Sequence, residues 1–165
     1  MHVSLKTLRY HIDYTAWASR KLLEAAAALS SDELTRDFGT ADKSVLGTLL
    51  HVYGADYAWM ERMEGRSISQ RPYGEEASLA WLQVEWPRLL ERWKAYVAGL
   101  TEETAEAEIA YVTFKGDPFR SAVWKIVMHV VNHGTHHRGQ AAGFLRSMGK
   151  TPPVLDLMQY YRQLD

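Results

Sequence analysis

Apolar residues recur at three- and four-residue intervals in four long segments of this chain. In the first, from about Ser4 to Leu29, Leu5, Leu8, Ile12, Ala16, Leu23 and Ala26 share one helical face, and Tyr10, Tyr14 and Trp17 widen it. The second runs from about Ser44 to Glu64. Its arc holds Val45, Leu46, Leu49, Val52, Tyr53, Trp59, Met60 and Met63, and Gly65 supplies a C-terminal stop. The third, from about Ser78 to Leu100, carries Leu79, Leu82, Trp86, Leu89, Leu90, Trp93 and Val97 on a core face, with Pro87 expected to kink or interrupt its first half. The fourth, from about Ala122 to Met148, aligns Val123, Val127, Val130, Ala141, Leu145 and Met148, and ends at Gly149 and Pro152-Pro153.

The intervals are less regular. Ser30-Ser31-Asp32-Glu33 resembles a capping box and predicts one short helical turn, after which Phe38-Gly39-Thr40 reads as loop. Residues Arg66 to Ala77, with Pro72 and Gly74, form a polar loop. Glu108 to Phe114 is short and β-rich, and Lys115-Gly116-Asp117-Pro118 is turn-like, which predicts an extended excursion or small hairpin before the fourth helix. Beyond Lys150 the chain should fold back along the helices, with at most a short terminal helix. The pattern is that of an all-α, four-helix bundle, and 165 residues without a linker, repeat or low-complexity tract predict one domain over 1–165.

Composition narrows the chemistry. A content of 47% apolar and 12% aromatic residues supplies a core. There is no cysteine, so disulfides, thiolate ligands and a cysteine nucleophile are excluded, in agreement with a cytoplasmic protein. A net charge of −1 and no basic run argue against a nucleic-acid partner. No apolar run reaches membrane-spanning length, and the N-terminus lacks a secretory pattern.

The fourth segment holds four of the seven histidines, at 129, 133, 136 and 137. On a wheel of about 100° per residue, His137 falls inside the apolar stripe and His133 on its flank. His129 and His136 lie toward the polar arc of Lys125, Asn132 and Ser147. The inward pair is spaced i, i+4, which sets the Cβ atoms about 5–6 Å apart on one face. In the second segment His51 points away from the apolar arc, among Gly47, Gly54, Ala55 and Ala58. Small residues there leave room for an ion, a water and a substrate, or for close approach of another helix. His51, His133 and His137 together would give three neutral nitrogen ligands and an open coordination position, for which zinc and nickel are both suited. The pattern alone fits this reading and a second one equally: histidines hydrogen-bonding across a wet bundle core. Two further residues stand out. Asp56 lies within an apolar arc and needs a buried partner. Arg138, also inward, needs an anion, either Asp156 or a substrate carboxylate. Gln140 is placed to orient a ligand imidazole, and His11 reads as a partly exposed structural histidine.

The run His129-Val130-Val131-Asn132-His133-Gly134-Thr135-His136-His137-Arg138-Gly139-Gln140, followed by Arg146 to Leu157, resembles the DinB family, part of the DinB/YfiT-like metalloenzymes. Tyr14-Thr15-Ala16-Trp17-Ala18 and Leu49-Leu50-His51-Val52 with Asp56 and Trp59 are similar to the first two helices of that family. The resemblance implies a four-helix bundle holding a divalent metal on His51, His133 and His137, and a homodimer. It further implies a small-molecule substrate and, by likeness to the better understood relatives, transfer of a low-molecular-weight thiol onto an electrophile. Arg138 and Asp56 are the candidate catalytic residues, although the family commonly has glutamate where Asp56 stands. Hydrolysis of a small ester or amide, or a non-catalytic metal-binding module in a stress response, are the rival readings.

Overall fold

The computed structural model describes residues 3–74 and 77–164; Met1, His2 and the Glu75-Glu76 part of the polar loop lie outside the described residues. Four long helices carry the fold: α1 (Leu5–Ala27), α3 (Val45–Met63), α4 (Leu79–Ala98) and α6 (Val123–Ser147). Between and after them come the short α2 (Ser31–Thr35), α5 (Glu102–Glu106) and α7 (Leu157–Tyr161), and the strands β1 (Glu108–Val112) and β2 (Pro118–Ala122).

Side-chain oxygens start the helices where the pattern placed them. Ser44 accepts from Gly47 N and Ser78 from Trp81 N. Ser30 and Glu33 form a reciprocal capping box. Gly65 and Gly149, with φ of 79° and 73°, take the left-handed conformation that ends α3 and α6. The expected excursion before α6 is an antiparallel hairpin in which Ile109 pairs with Ser121 and Tyr111 with Phe119.

The long helices form a four-helix ring. Each of α1 and α3 packs against both α4 and α6. Leu8, Ile12, Leu49, Met60, Leu82, Trp86, Trp93, Val127 and Leu145 fill the centre. Each large side chain withdrawn from water contributes about 1.5–3 kcal/mol. Pro87 does not interrupt α4, which runs through it without a break. The carbonyl that loses its donor belongs to exposed Gln83 and borders a shallow surface groove open to water.

Two of the buried indoles are tied to one residue. Trp86 Nε1 donates to Asp56 Oδ2 and Trp93 Nε1 to the Asp56 carbonyl, both at 3.1 Å. The expected buried partner of Asp56 is therefore an indole. Its other oxygen, Oδ1, has no hydrogen-bond partner. Burial pushes this carboxyl from 3.8 up to about 7, against the opposing effects of Trp86 and the Arg138 charge. The folded chain thus keeps a proton that the unfolded chain releases, so stability from this group falls as pH rises from about 4 to about 7. The slope approaches about 1.4 kcal/mol per pH unit. In Asp56→Asn the amide oxygen still accepts from Trp86 and nothing titrates. Urea unfolding at pH 5 and pH 7.5 should show the wild type losing at least about 1–2 kcal/mol more than the variant over that interval.

Candidate metal centre

The bundle brings His51 of α3 against His133 and His137 of α6. One ligand atom from each of the three rings lies within 4.8 Å of the others. The ring centroids of His51 and His137 are 4.3 Å apart, those of His133 and His137 4.5 Å, and those of His51 and His133 5.1 Å. His51 Nε2 and His133 Nε2 stand 3.1 Å apart. That is near the spacing of about 3.3 Å for two nitrogens each about 2.0–2.1 Å from one tetrahedral ion.

The outer nitrogens explain how the rings are held. Gln140, one helical turn along, places Oε1 2.7 Å from His137 Nδ1, while its amide nitrogen lies 3.2 Å from Nε2 of His136. An amide oxygen only accepts, so His137 carries its proton on Nδ1 and its free lone pair on Nε2. Asp42 sets a carboxylate beside His51. Its Oδ1 is 3.2 Å from His51 Nδ1, and its Oδ2 is 3.6 Å from His137 Nδ1. His133 is the exception: its Nδ1 is buried with no hydrogen-bond partner.

Asp42 is absent from the pattern-based site. It sits in the loop between α2 and α3, where no periodicity applies, and three local features place it. Ser44 N donates to the Asp42 carbonyl at 2.7 Å, closing a three-residue turn around Lys43, whose φ is 62°. Phe38 N donates to Lys43 O, and the Phe38 ring stacks on Phe144 of α6 at 4.3 Å and 4°. The Asp42 backbone also lies directly on Gly47 of α3. An ideal Cβ at residue 47 would be 2.0 Å from the Asp42 carbonyl oxygen. The small residues around His51 therefore admit a loop backbone. Their presence was the one sequence signal that something approaches this face.

Burial disfavours the charged form of two of the three rings. Burial, then the neighbouring imidazoles of His137 and His51, push His133 down to about 3. Burial lowers His51 as well, against the Asp42 charge. Three imidazoles with converging ligand atoms, one of them fixed in its tautomer by an amide oxygen, are the donor set that a divalent ion of the zinc or nickel type accepts. The residues present fit such an ion.

The other residues singled out from the sequence lie elsewhere. Arg138 and Asp56 are each 1% exposed in the bundle interior, apart from the cleft that His51 borders. Arg138 donates to Ser19 Oγ and Thr135 Oγ1 and lies over the Tyr14 ring at 5.5 Å. Asp156 shares a cavity wall with Arg138, but no ion pair joins them among the described residues; two hydroxyls and an aromatic face take the place of the expected carboxylate. The C-terminal segment is tied down instead by Tyr14, whose hydroxyl donates to Leu155 O at 2.7 Å. His129 meets the edge of Trp59 at 5.2 Å. His11, half-buried, contacts Thr7 O through Nδ1 at 2.8 Å.

The sequence model of the DinB family matches residues 1–163. The chain is also similar to "Protein DinB" of Bacillus subtilis (strain 168), at 23% identity over 156 residues that cover 90% of each chain.

Proposed function

The chain belongs to the DinB family, and from that premise we propose a divalent metal ion held by His51, His133 and His137, in an enzyme that transfers a low-molecular-weight thiol onto an electrophile. The observation that carries the metal reading is the three-imidazole cluster, with the His137 proton committed to Gln140 and the Asp42 carboxylate 3.2 Å from His51 Nδ1. When bound, a divalent ion supplies Lewis acidity, which lowers the pKa of a thiol delivered to it.

The chain's own residues do the rest. Gln140 holds the proton at His137 Nδ1 and so fixes that ring's orientation and tautomer, and the Asp42 carboxylate favours a proton on the near side of His51. The low basicity of His51 and His133 keeps both rings neutral near pH 7, so protons do not compete for their lone pairs. His51 borders an open cleft through which a small molecule reaches the cluster. With no cysteine among 165 residues, the sulfur belongs to the co-substrate. In the transfer a sulfur–carbon bond forms, the leaving group departs with its electron pair, and the thiol proton passes to solvent.

The experiment is a screen of metal-loaded protein against common cellular thiols, each paired with a set of electrophiles. Turnover that requires metal, thiol and electrophile together is expected. Turnover of an ester panel without thiol would replace transfer with hydrolysis. A metal-loaded protein inert with every pair leaves a binding module and removes the enzymatic half of the proposal.

A further inference from the structure

His51 forms one edge of a cleft of about 400 Å³ that also runs past Gly54, Ala55, Arg71, Tyr73 and Phe114. One wall is fixed. The Tyr73 ring lies on α3 at Gly54, where an added Cβ would sit 3.0 Å from the ring, and it is braced from behind by Tyr53 at 6.4 Å and Trp81 at 6.2 Å. The rim carries Phe114, 49% exposed. Among the described residues, Arg71 is the only permanently charged side chain on the lining. Its Nη1 donates to the Tyr73 hydroxyl at 3.4 Å, and it makes no ion pair among the described residues. A flat apolar wall, an aromatic rim and one guanidinium without an ion pair among the described residues thus surround a space that ends at a triad imidazole.

We propose that this cleft binds a small organic carboxylate, with its acid group on Arg71, its flat apolar body against Tyr73 and Phe114, and its far end at His51. A guanidinium fork accepts carboxylate and phosphate alike, but its single positive charge balances a carboxylate and leaves a doubly charged phosphate ester half-neutralised. The proposal names the substrate class for the function proposed above and rests on that reading only for what happens at His51; the anion contact needs no ion.

The test titrates phenylacetate and its neutral isostere phenylacetamide, read by calorimetry or ligand-observed NMR. It uses metal-loaded wild type, chelator-stripped wild type, the His137→Ala variant, and Arg71→Ala and Arg71→Lys variants. A charge-assisted hydrogen bond at an exposed site corresponds to about a tenfold preference for the acid. That preference is expected with and without metal, is expected to shrink to within about twofold in Arg71→Ala, and is expected to recover in part in Arg71→Lys. Equal binding of acid and amide overturns the proposal. So does a preference that needs the metal and survives Arg71→Ala, because the acid then goes to the ion. Tighter binding of phenyl phosphate than of phenylacetate overturns the carboxylate assignment. Because the metal-free arms read Arg71 alone, failure of the metal reading and failure of the cleft proposal are separable.

Discussion

Wild-type protein purified without an affinity tag is expected to carry about one equivalent of zinc or nickel, and His137→Ala none. Three imidazoles are the minimum set here. Removing one leaves His51 and His133, whose Nε2 atoms face each other at 3.1 Å. Two neutral ligands are too few to compete with a chelator. Disturbing the groups behind ligand imidazoles typically reduces affinity about 10–100-fold, so removing a ligand should exceed about 100-fold in a competition titration. The readout is elemental analysis of both proteins before and after loading. Wild type that takes up neither metal would reduce the cluster to polar groups of the bundle interior, and the function proposed above would fall with it.

Gly47→Ala is expected to weaken both the fold and the site. The Cβ it introduces lies 2.0 Å from the Asp42 carbonyl oxygen and 3.2 Å from the carbonyl carbon. Its obstacle is backbone, held by the turn around Lys43, so the strain is not relieved by rotating a side chain. The loop must lift from α3, at a cost of about 2–4 kcal/mol. Lifting the loop withdraws the Asp42 carboxylate from His51. Metal affinity should then fall by about 10–100-fold. Asp42→Ala separates the two effects: the loop stays on Gly47, unfolding shifts by less than about 1 kcal/mol, and the affinity loss remains. Urea unfolding and chelator competition on both variants check this. A Gly47→Ala protein of full stability and full affinity would contradict the close packing and the role of Asp42 together.

The bundle was legible because long amphipathic helices announce themselves. Ser44, Ser78, Gly65 and Gly149 bound α3, α4 and α6 within a residue or two of the expected ends; on the expected inward face of α6, Val123, Val127, Val130, Arg138, Ala141 and Leu145 are buried, while His133, His137 and Met148 are half-buried. The short α5 was not legible. Five residues with one buried side chain, Ala105, contain no period to detect, and its marker is a local reciprocal cap between Thr101 and Thr104. The histidine pair on α6 could be read by spacing, since both residues ride one helix. The third ring required knowing that α3 packs on α6, which helical periodicity alone does not state. Asp42 lay further out of reach. Its position follows from a left-handed Lys43, a stacked Phe38 and a missing side chain at residue 47, and none of these has a sequence interval attached. Arg138 shows the opposite failure. Its inward direction was correct, but a buried guanidinium can be held by Ser19, Thr135 and the face of Tyr14 as well as by a carboxylate.

His51 and His133 are 82 positions apart in the chain. An ion shared by them is a reversible cross-link that closes a loop spanning half the protein. In the chain-entropy picture a permanent link across such a loop restricts the unfolded ensemble by about 4–5 kcal/mol, and only the folded chain presents the completed triad. With the proposed ion in place, the seam between α3 and α6 would be where metal supply and resistance to unfolding become one quantity. If the proposed ion binds there, its scarcity would first loosen the two helices that a small molecule in the cleft must find in register.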